Sequence, residues 1–254
     1  MKNKWHDFFQ KYRITETSTD EDLLFQVGTT VNGQTISKRQ FEAIIDDISS
    51  HLQLQDNDQL LDLCCGNGII TYELSKKVKQ VIGVDFSDPY IKVAQQLKNN
   101  HNTLYMLHDV THLDQLKIHI QKCNKVVNYA SLAYLTPVQF KKILGDLSLM
   151  TSSDVKIFIG SILDKSKIWK FFNSPKRKIT YLFKHVLLRK DPGLGRWWTK
   201  KEIEGIARQA GFECKFFTQR PLLHTAHYRM DVLITRNEEN LSMPPKGTSK
   251  DKHR

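Results

Sequence analysis

The sequence predicts an α/β fold: a seven-stranded, mostly parallel sheet with helices on both faces and an antiparallel final strand. Short apolar runs alternate with amphipathic segments over residues 59–160, and this alternation is typical of a parallel sheet that is covered on both faces. The last two apolar runs, 212–217 and 228–235, have no helix between them. We therefore expect these two strands to pair antiparallel.

Each element of the alternating part has its own local signal. A capping residue is followed by proline at Asp88-Pro89 and at Thr136-Pro137, and the fixed proline φ suits the first turn of a helix. A further helix is expected over residues 68–77, directly after the first strand. The five strands predicted in this part are short and apolar; they are residues 59–63, 80–85, 103–109, 125–130 and 154–160.

Three segments fall outside the alternation. Residues 1–55 predict an N-terminal helical cap, because the S-K-R-Q capping box at Ser37 precedes apolar residues at helical spacing. The main domain is expected over residues 56–236, interrupted at 161–198 by a basic helical insertion that would form a lid. The tail, 237–254, is polar and contains two prolines, so we expect it to be disordered.

Positive charge dominates the chain and is concentrated in one segment. The 254 residues carry a formal net charge of +11, with a pI near 9.4. Residues 165–190 contain lysines and arginines but no Asp or Glu. A basic surface of this kind favours an anionic partner: a phosphorylated molecule, a nucleic acid or the surface of a membrane. An ordinary cap helix with solvated lysines is the alternative interpretation.

Composition also indicates the compartment. No apolar run approaches the roughly 18 residues that a membrane span needs, and the N-terminus has neither the apolar core nor the cleavage site of a signal peptide. A cytoplasmic protein is therefore expected. Four cysteines occur without any C-x-x-C pair, which argues against a zinc site or a disulfide framework. We expect reduced thiols and no metal.

A glycine-rich turn follows the first predicted strand. The stretch "DLCCGNG" runs from Asp62 to Gly68, and glycines at such a turn let a ligand approach the backbone at the start of a helix. Asp85 and Asp109 end the next two predicted strands. Ligands of open parallel sheets bind at the carboxyl ends of the strands, and a carboxylate about 20 residues after the turn commonly binds ribose hydroxyls. These residues predict a site for an adenosine-like ligand.

This motif resembles that of the class I S-adenosylmethionine (SAM)-dependent methyltransferases. A dinucleotide-binding fingerprint would place a third glycine where Thr71 stands. The acid-led pattern D/E-x-G-x-G-x-G fits instead, with Cys64 in place of its first glycine, and "DLCCGNG" is similar to a variant found in quinone-biosynthesis methyltransferases. The resemblance covers about residues 57–160 and 199–236. It implies a Rossmann-like fold with SAM as the cofactor and S-adenosylhomocysteine as its product.

The resemblance also implies where each part of the cofactor would lie. Asp62 would lie near the methionine amino group, Asp85 would accept hydrogen bonds from the ribose, and Asp109 would meet the adenine amino group. The other positions assigned to the cofactor are Cys64, Cys65, Gly66 and Gly68 in the turn, Phe86 and Val110 near the adenine, and Asn128 beside the methionine part.

Two residues are candidates for a role in catalysis. Tyr129, at the end of the fourth predicted strand, would face the transferred methyl group. His227, just before the last strand, could take a proton from an acceptor hydroxyl. A histidine in a loop without any role is an equally good interpretation. Tyr12 and Gln26 of the N-terminal cap are candidates for closing over the cofactor.

The sequence supports three hypotheses of function. The leading one is a methyltransferase for a small, anionic molecule, with O-methylation of a phosphorylated, sugar-linked or lipid-linked acceptor. An RNA (for instance tRNA) methyltransferase that uses the basic 165–190 surface is the second, although nucleic acid is not favoured. The third is a protein that binds SAM without catalysis. Peripheral contact with a membrane, the acceptor atom and the oligomeric state stay open.

Overall fold

Seven strands form the central sheet of the computed structural model, which describes residues 18–31, 33–183 and 195–237. Two further strands form a small hairpin near the N-terminus. In chain order the strands are β1 (Thr30–Val31), β2 (Gln34–Thr35), β3 (Gln59–Leu63), β4 (Gln80–Asp85), β5 (Thr103–Leu107), β6 (Lys125–Tyr129), β7 (Lys156–Leu163), β8 (Phe212–Thr218) and β9 (Arg229–Arg236).

Helices lie between most of these strands, and several begin at the capping residues that the sequence indicated. Thr136 caps α6 together with Gln139, and Pro89 occupies the first turn of α4. In chain order the described helices are α1 (Asp20–Gln26), α2 (Lys38–Leu52), α3 (Ile69–Ser75), α4 (Asp88–Leu97), α5 (Lys117–Ile120), α6 (Pro137–Met150), α7 (Ile168–Phe171), α8 (Pro175–Tyr181) and α9 (Lys200–Gln209). None of the helices in the described ranges is long and apolar enough to cross a membrane.

The strand order is β5-β4-β3-β6-β7-β9-β8. The first five strands in that order are parallel, and β9 inserts antiparallel between β7 and β8. The predicted fold class, including the antiparallel final strand, is therefore confirmed. Strand order reverses at β3, so the carboxyl ends of β3, β4 and β6 meet where such a sheet binds ligands.

The core lies on both faces of the sheet. Successive side chains of a strand point to opposite faces, so Leu60 packs in one apolar cluster and Leu61 in the other. Ile44 and Ile48 of α2 cover the first face. Phe140 of α6 packs with others over the second face, which explains why the buried strands are apolar throughout.

Strand β7 is longer than predicted and carries a bulge. It continues to Leu163, so residues 161–163, which we had assigned to the insertion, belong to the sheet. The pairing with β9 shifts between Ile159 and Ile162, so two residues of β7 face one residue of β9 there. The sequence signals of a strand end and of a bulge, Gly160 followed by a polar residue, are alike, which is why the prediction stopped early.

Two other expectations differ from the structure at their edges. The third strand ends at Leu107 instead of residue 109, because Asp109 caps a 3₁₀ helix. The N-terminal cap, expected as helical, also contains the β1–β2 hairpin after the end of α1. Tyr12, the 184–194 part of the predicted lid and the tail from residue 238 lie outside the described residues.

Candidate active site

A cavity of about 940 Å³ opens at the carboxyl ends of the parallel strands. The turn after β3 and the ends of β4 and β5 form one part of its wall, and residues after β6, in β7 and before β9 form another part. Residues 25–30 of the N-terminal cap also line it. The sheet thus brings together segments that are far apart in the sequence.

The glycine turn has the backbone conformation that its residues suggested. Gly66 and Gly68 have φ of 56° and 78°, and Cys64 also has a positive φ of 61°. A side chain on Gly68 would lie 2.7 Å from the Tyr105 hydroxyl and 2.9 Å from Cβ of Ala94. Glycine is therefore required at 68 for both its φ and its surroundings. Cys64 adopts the same region at a cost of about 1–2 kcal/mol.

Asp85 connects the end of β4 to this turn. One carboxylate oxygen accepts a hydrogen bond from the Gly66 N–H at 2.9 Å, and the other accepts one from the Ser87 N–H at 2.8 Å. The side chain is buried yet lines the cavity. Burial raises the pKa of Asp85, while these backbone N–H groups lower it. Its carboxylate is held in one orientation against the glycine turn.

Asp62 lies deeper than the cavity wall. It is 3% exposed and accepts a hydrogen bond from the Thr71 hydroxyl at 2.6 Å. Burial raises its pKa to about 7, and the nearby Asp85 carboxylate adds to the rise. Gly68 and Asn128 are likewise absent from the lining, and the Asn128 amide donates to the Leu63 carbonyl at 2.9 Å. Asp62 and Asn128 thus support the turn from behind, and Gly68 belongs to the turn itself.

The remaining predicted cofactor residues do line the cavity. Asp109 accepts hydrogen bonds from the N–H and hydroxyl of Thr111, both at 2.8 Å, and so begins the 3₁₀ helix after β5. Val110 follows it and is buried. The lining residues predicted for the cofactor are Cys64, Cys65, Gly66, Asp85, Phe86, Asp109 and Val110.

Asn67 fastens the N-terminal cap to the turn, a role that the sequence did not reveal. It is fully buried, and its amide donates to the Leu23 carbonyl and to the Gln26 side chain, each at 2.8 Å. The Tyr90 hydroxyl donates to the Gln26 carbonyl at 2.9 Å. Gln26, a predicted closing residue, therefore lines the cavity in a fixed position. The polar residue between two glycines was the available signal.

Tyr129, at the end of β6, lines the cavity, and its predicted place beside the methyl group stays a prediction. Its ring packs on Gly160 so closely that a side chain there would approach ring carbons to 2.5 Å. Burial raises the Tyr129 pKa, so the phenol keeps its proton at neutral pH. The missing side chain at 160 thus decides where this ring lies.

His224, and not His227, belongs to the cavity wall. His227 is exposed and packs edge-on against Tyr228, with ring centroids 4.8 Å apart. His224 lines the cavity beside the cap. Burial, Arg229 and His227 lower the His224 pKa, so its imidazole is neutral at pH 7. The role predicted for His227 stays a prediction, and no sequence signal distinguished the two histidines.

The β7 bulge supports the far wall of the cavity. Ser161 has a φ of 62°, and its N–H donates to the buried Asp231 carboxylate at 2.7 Å. Arg229 donates from Nη1 to the Ser161 carbonyl at 2.6 Å and to its hydroxyl at 3.0 Å. Burial raises the Asp231 pKa to about 6. Two side chains of β9 thus hold the bulge, and Arg229 reaches the cavity.

The described part of the lid rests on this wall through aromatic side chains. Phe172 and Trp197 form a buried cluster with Tyr228, which also lines the cavity. Arg177 lies over the rings of Phe171 and Phe172. Among the described residues, no group of three or more His, Cys, Asp or Glu side chains is arranged to hold a metal ion.

Comparison with known proteins points to one family. Residues 60–152 match the model of the family described as methyltransferase domain. An uncharacterized methyltransferase of Schizosaccharomyces pombe is 34% identical over 89 residues, which are 35% of this chain and 33% of that protein. A 23S rRNA uracil C5-methyltransferase of Aliivibrio fischeri is 34% identical over 67 residues, which are 26% of this chain and 15% of that protein. The chain thus matches a third or less of these relatives' length.

A solved structure extends the likeness to most of the chain. Magnesium protoporphyrin IX methyltransferase from Synechocystis, crystallised with bound S-adenosylhomocysteine, matches with a TM-score of 0.56 and 15% identity. The match covers 92% of both chains. At this identity the comparison establishes the fold, which is that of a SAM-dependent methyltransferase.

Proposed function

We propose that this chain, whose residues 60–152 match the methyltransferase domain family, is a class I SAM-dependent methyltransferase that methylates a small anionic molecule. The observation that carries the proposal is one cavity lined by two chemically different sets of residues. The predicted cofactor residues are one set. Tyrosines, His224 and Arg229 are the other. We name the parts of the cavity that these sets line the cofactor end and the acceptor end.

The residues of the cofactor end suit SAM in shape and chemistry. The positive φ values at Cys64 and Gly66 bend the backbone so that a ligand can approach it. Asp85 accepts hydrogen bonds with charge-assisted strength, as ribose hydroxyls require. Asp62 and Asn128 lie behind the turn, so we assign them to positioning it. When bound, SAM supplies an electrophilic methyl group on a positively charged sulfur.

The shape of the cavity supports a small acceptor. Gln26 and Val27 of the cap line it together with Ile36 and Ile44, so a ligand inside would touch the cap as well as the sheet. Burial of most of a ligand's surface in such a cavity is typical of small-molecule sites. The main task of the acceptor end is then to align the acceptor atom and exclude water.

His224 is our candidate for the base if the acceptor atom is a hydroxyl. It lines the acceptor end and is neutral at pH 7, so its imidazole can accept the proton that a hydroxyl loses. Tyr129 keeps its own proton and would contact the acceptor beside the methyl group. With His224 as the base, the O-methylation proposed here assigns no role to a metal ion.

An RNA acceptor is the second candidate. The observation in its favour is the exposed basic part of the lid, where Trp169 is 43% exposed beside Lys170. Aromatic rings among positive charges are typical of single-strand binding. Relatives that methylate rRNA match only part of this chain, and an acceptor inside the cavity would still have to reach Tyr129.

The test is transfer of labelled methyl groups from SAM to a cell extract, separated into small-molecule, lipid, RNA and protein fractions. Asp85→Asn would remove one of the two acceptors that hold Gly66 and Ser87, and we expect it to weaken SAM binding at least about ten-fold. Asp88→Asn is the matched control, because Asp88 is exposed and pairs with Lys92. Label in the small-molecule fraction, lost in Asp85→Asn, supports the proposal. Label in RNA contradicts it, and SAM binding without any transfer would indicate a binding protein.

A further inference from the structure

Arg229 is the charged side chain at the acceptor end whose environment calls for a partner. Its Nη1 group donates to Ser161, and its Nε lies buried with no hydrogen-bond partner among the described residues. Buried donors are nearly always paired. Arg229 also forms no ion pair with a carboxylate of the described chain, although Asp231 lies two residues away and accepts from Ser161 and Gln219 instead.

The position of this guanidinium is fixed by the β7 bulge. Arg229 donates to Ser161, and the preceding residue, Gly160, is the one on which the Tyr129 ring packs. The bulge therefore links the position of Arg229 to that of Tyr129. The Arg229 guanidinium also lies over the Tyr228 ring, 5.5 Å from its centroid. A guanidinium held in this way keeps its fork of donors in one orientation, which suits planar or tetrahedral oxyanions.

Charge differs between the two ends of the cavity. Asp85 and Asp109 line the cofactor end, whereas Arg229 is the charged residue that lines the acceptor end, beside the neutral His224. Lys167, whose ammonium group donates to the Arg229 carbonyl at 3.2 Å, is ion-paired with the buried Asp164 at 3.3 Å, so the positive charge that faces the acceptor end is that of Arg229. An acceptor with a negative group would therefore enter with that group toward Arg229, leaving its other end near Tyr129.

We propose that Arg229 binds the carboxylate or phosphate group of the acceptor and so selects and orients it for methyl transfer. This inference rests on the proposed function, which places the acceptor at the end of the cavity that Arg229 lines. The chemistry recognised is an oxyanion attached to a body small enough to reach Tyr129. The basic lid is not part of this site, because the contact is made inside the cavity.

The experiment measures binding of 4-fluorobenzoate by ¹⁹F NMR to protein saturated with S-adenosylhomocysteine, which fills the cofactor end. Fluorobenzamide, which has the same shape without the charge, is the neutral probe. We expect Arg229→Gln to weaken fluorobenzoate binding at least about ten-fold and to leave fluorobenzamide unchanged. Arg208→Gln, an exposed arginine of α9, should change neither.

Arg229→Lys keeps the charge and covers the case in which Arg229→Gln disturbs the bulge. Arg229→Lys should retain part of the fluorobenzoate affinity, because the charge remains while the planar fork of donors that orients the carboxylate is lost. Competition by phenyl phosphate that is stronger than that by benzoate would assign a phosphate group, and the reverse would assign a carboxylate. If the wild type and Arg229→Gln bind fluorobenzoate equally while both still bind S-adenosylhomocysteine, the inference is overturned. If the wild type does not bind S-adenosylhomocysteine at all, the proposed function itself is contradicted.

Discussion

The two ends of the cavity are built in opposite ways. The cofactor end combines the turn residues Cys64 to Gly66 with residues that directly follow the next two strands, and Asp85 holds the backbone of the turn. The acceptor end takes Tyr129, His224 and Arg229 from segments separated by up to a hundred residues. A ligand that meets backbone and carboxylates needs a short motif, whereas a ligand that meets side chains needs the assembled sheet. The residues of the cofactor end can therefore be predicted from the sequence, whereas those of the acceptor end cannot.

The largest expected effect on this comparison comes from Gly68→Ala at the cofactor end. The new Cβ would lie 2.7 Å from the Tyr105 hydroxyl and 2.9 Å from Ala94, at a φ of 78°. Overpacking and a left-handed alanine together should lower the free energy of unfolding by about 3 kcal/mol. Urea denaturation measures it. Gly145→Ala is the control, because nothing lies within 4 Å of its Cβ position, and it should stabilise α6 by about 0.5–1 kcal/mol.

Asn67→Ala should have the next largest effect. Removing the Asn67 amide leaves the Leu23 carbonyl and Gln26 without their buried donor, which should cost about 2 kcal/mol. The loss should appear as faster amide hydrogen exchange in α1, while the sheet strands keep their protection. Unchanged exchange in α1 would mean that the Tyr90 contact alone holds the cap.

Gly160→Ala probes the acceptor end in the same way as Gly68→Ala probes the cofactor end. Here the backbone is not left-handed, and the new Cβ meets the Tyr129 ring. Because Gly160→Ala adds no left-handed backbone strain, we expect a smaller loss of about 1–2 kcal/mol. S-adenosylhomocysteine affinity, measured by calorimetry, should stay within about two-fold. A loss of cofactor affinity as large as that in Gly68→Ala would show that the two ends are not independent.

The effect of Asp62 is of a different kind, because it is visible only as pH dependence of stability. Its folded pKa of about 7 lies above the ordinary value of 3.8, so the folded state binds the proton more tightly than the unfolded state. Stability from this group is therefore present at low pH and lost as the pH rises through about 7, by at most about 1.4 kcal/mol per pH unit. Asp62→Asn should flatten the urea-derived stability between about pH 4 and 7. An unchanged slope in the variant would assign the dependence to another carboxylate, with Asp231 the next to test.

Most of the fold could be predicted because its signals are local. Strands β3 and β4 begin and end where their apolar runs do, and the capping residues of α6 and α9 mark real helix starts. The end of β7 could not be predicted, since residues 161–163 join the sheet only through pairing with β9. That pairing depends on a strand about 70 residues further along the chain.

The site divides along the same line. Seven of the ten predicted cofactor positions line the cavity, and Asp62, Gly68 and Asn128 do not. A motif tells which residues are near a ligand in sequence, but strand pleat decides which side chains face it. His224 could not be chosen over His227 either. Both precede β9 in the same short loop, and only the folded loop decides which of them lines the cavity.

The sequence by itself determined the α/β class, the antiparallel last strand and the glycine turn with Asp85, because hydrophobic period and backbone freedom are properties of neighbouring residues. The tertiary structure alone decided that Asn67 fastens the cap, that Gly160 positions Tyr129 and that Arg229 reaches the cavity. These depend on contacts between segments far apart in the chain, and the bulge in β7 that creates two of them forms only when β9 pairs beside it.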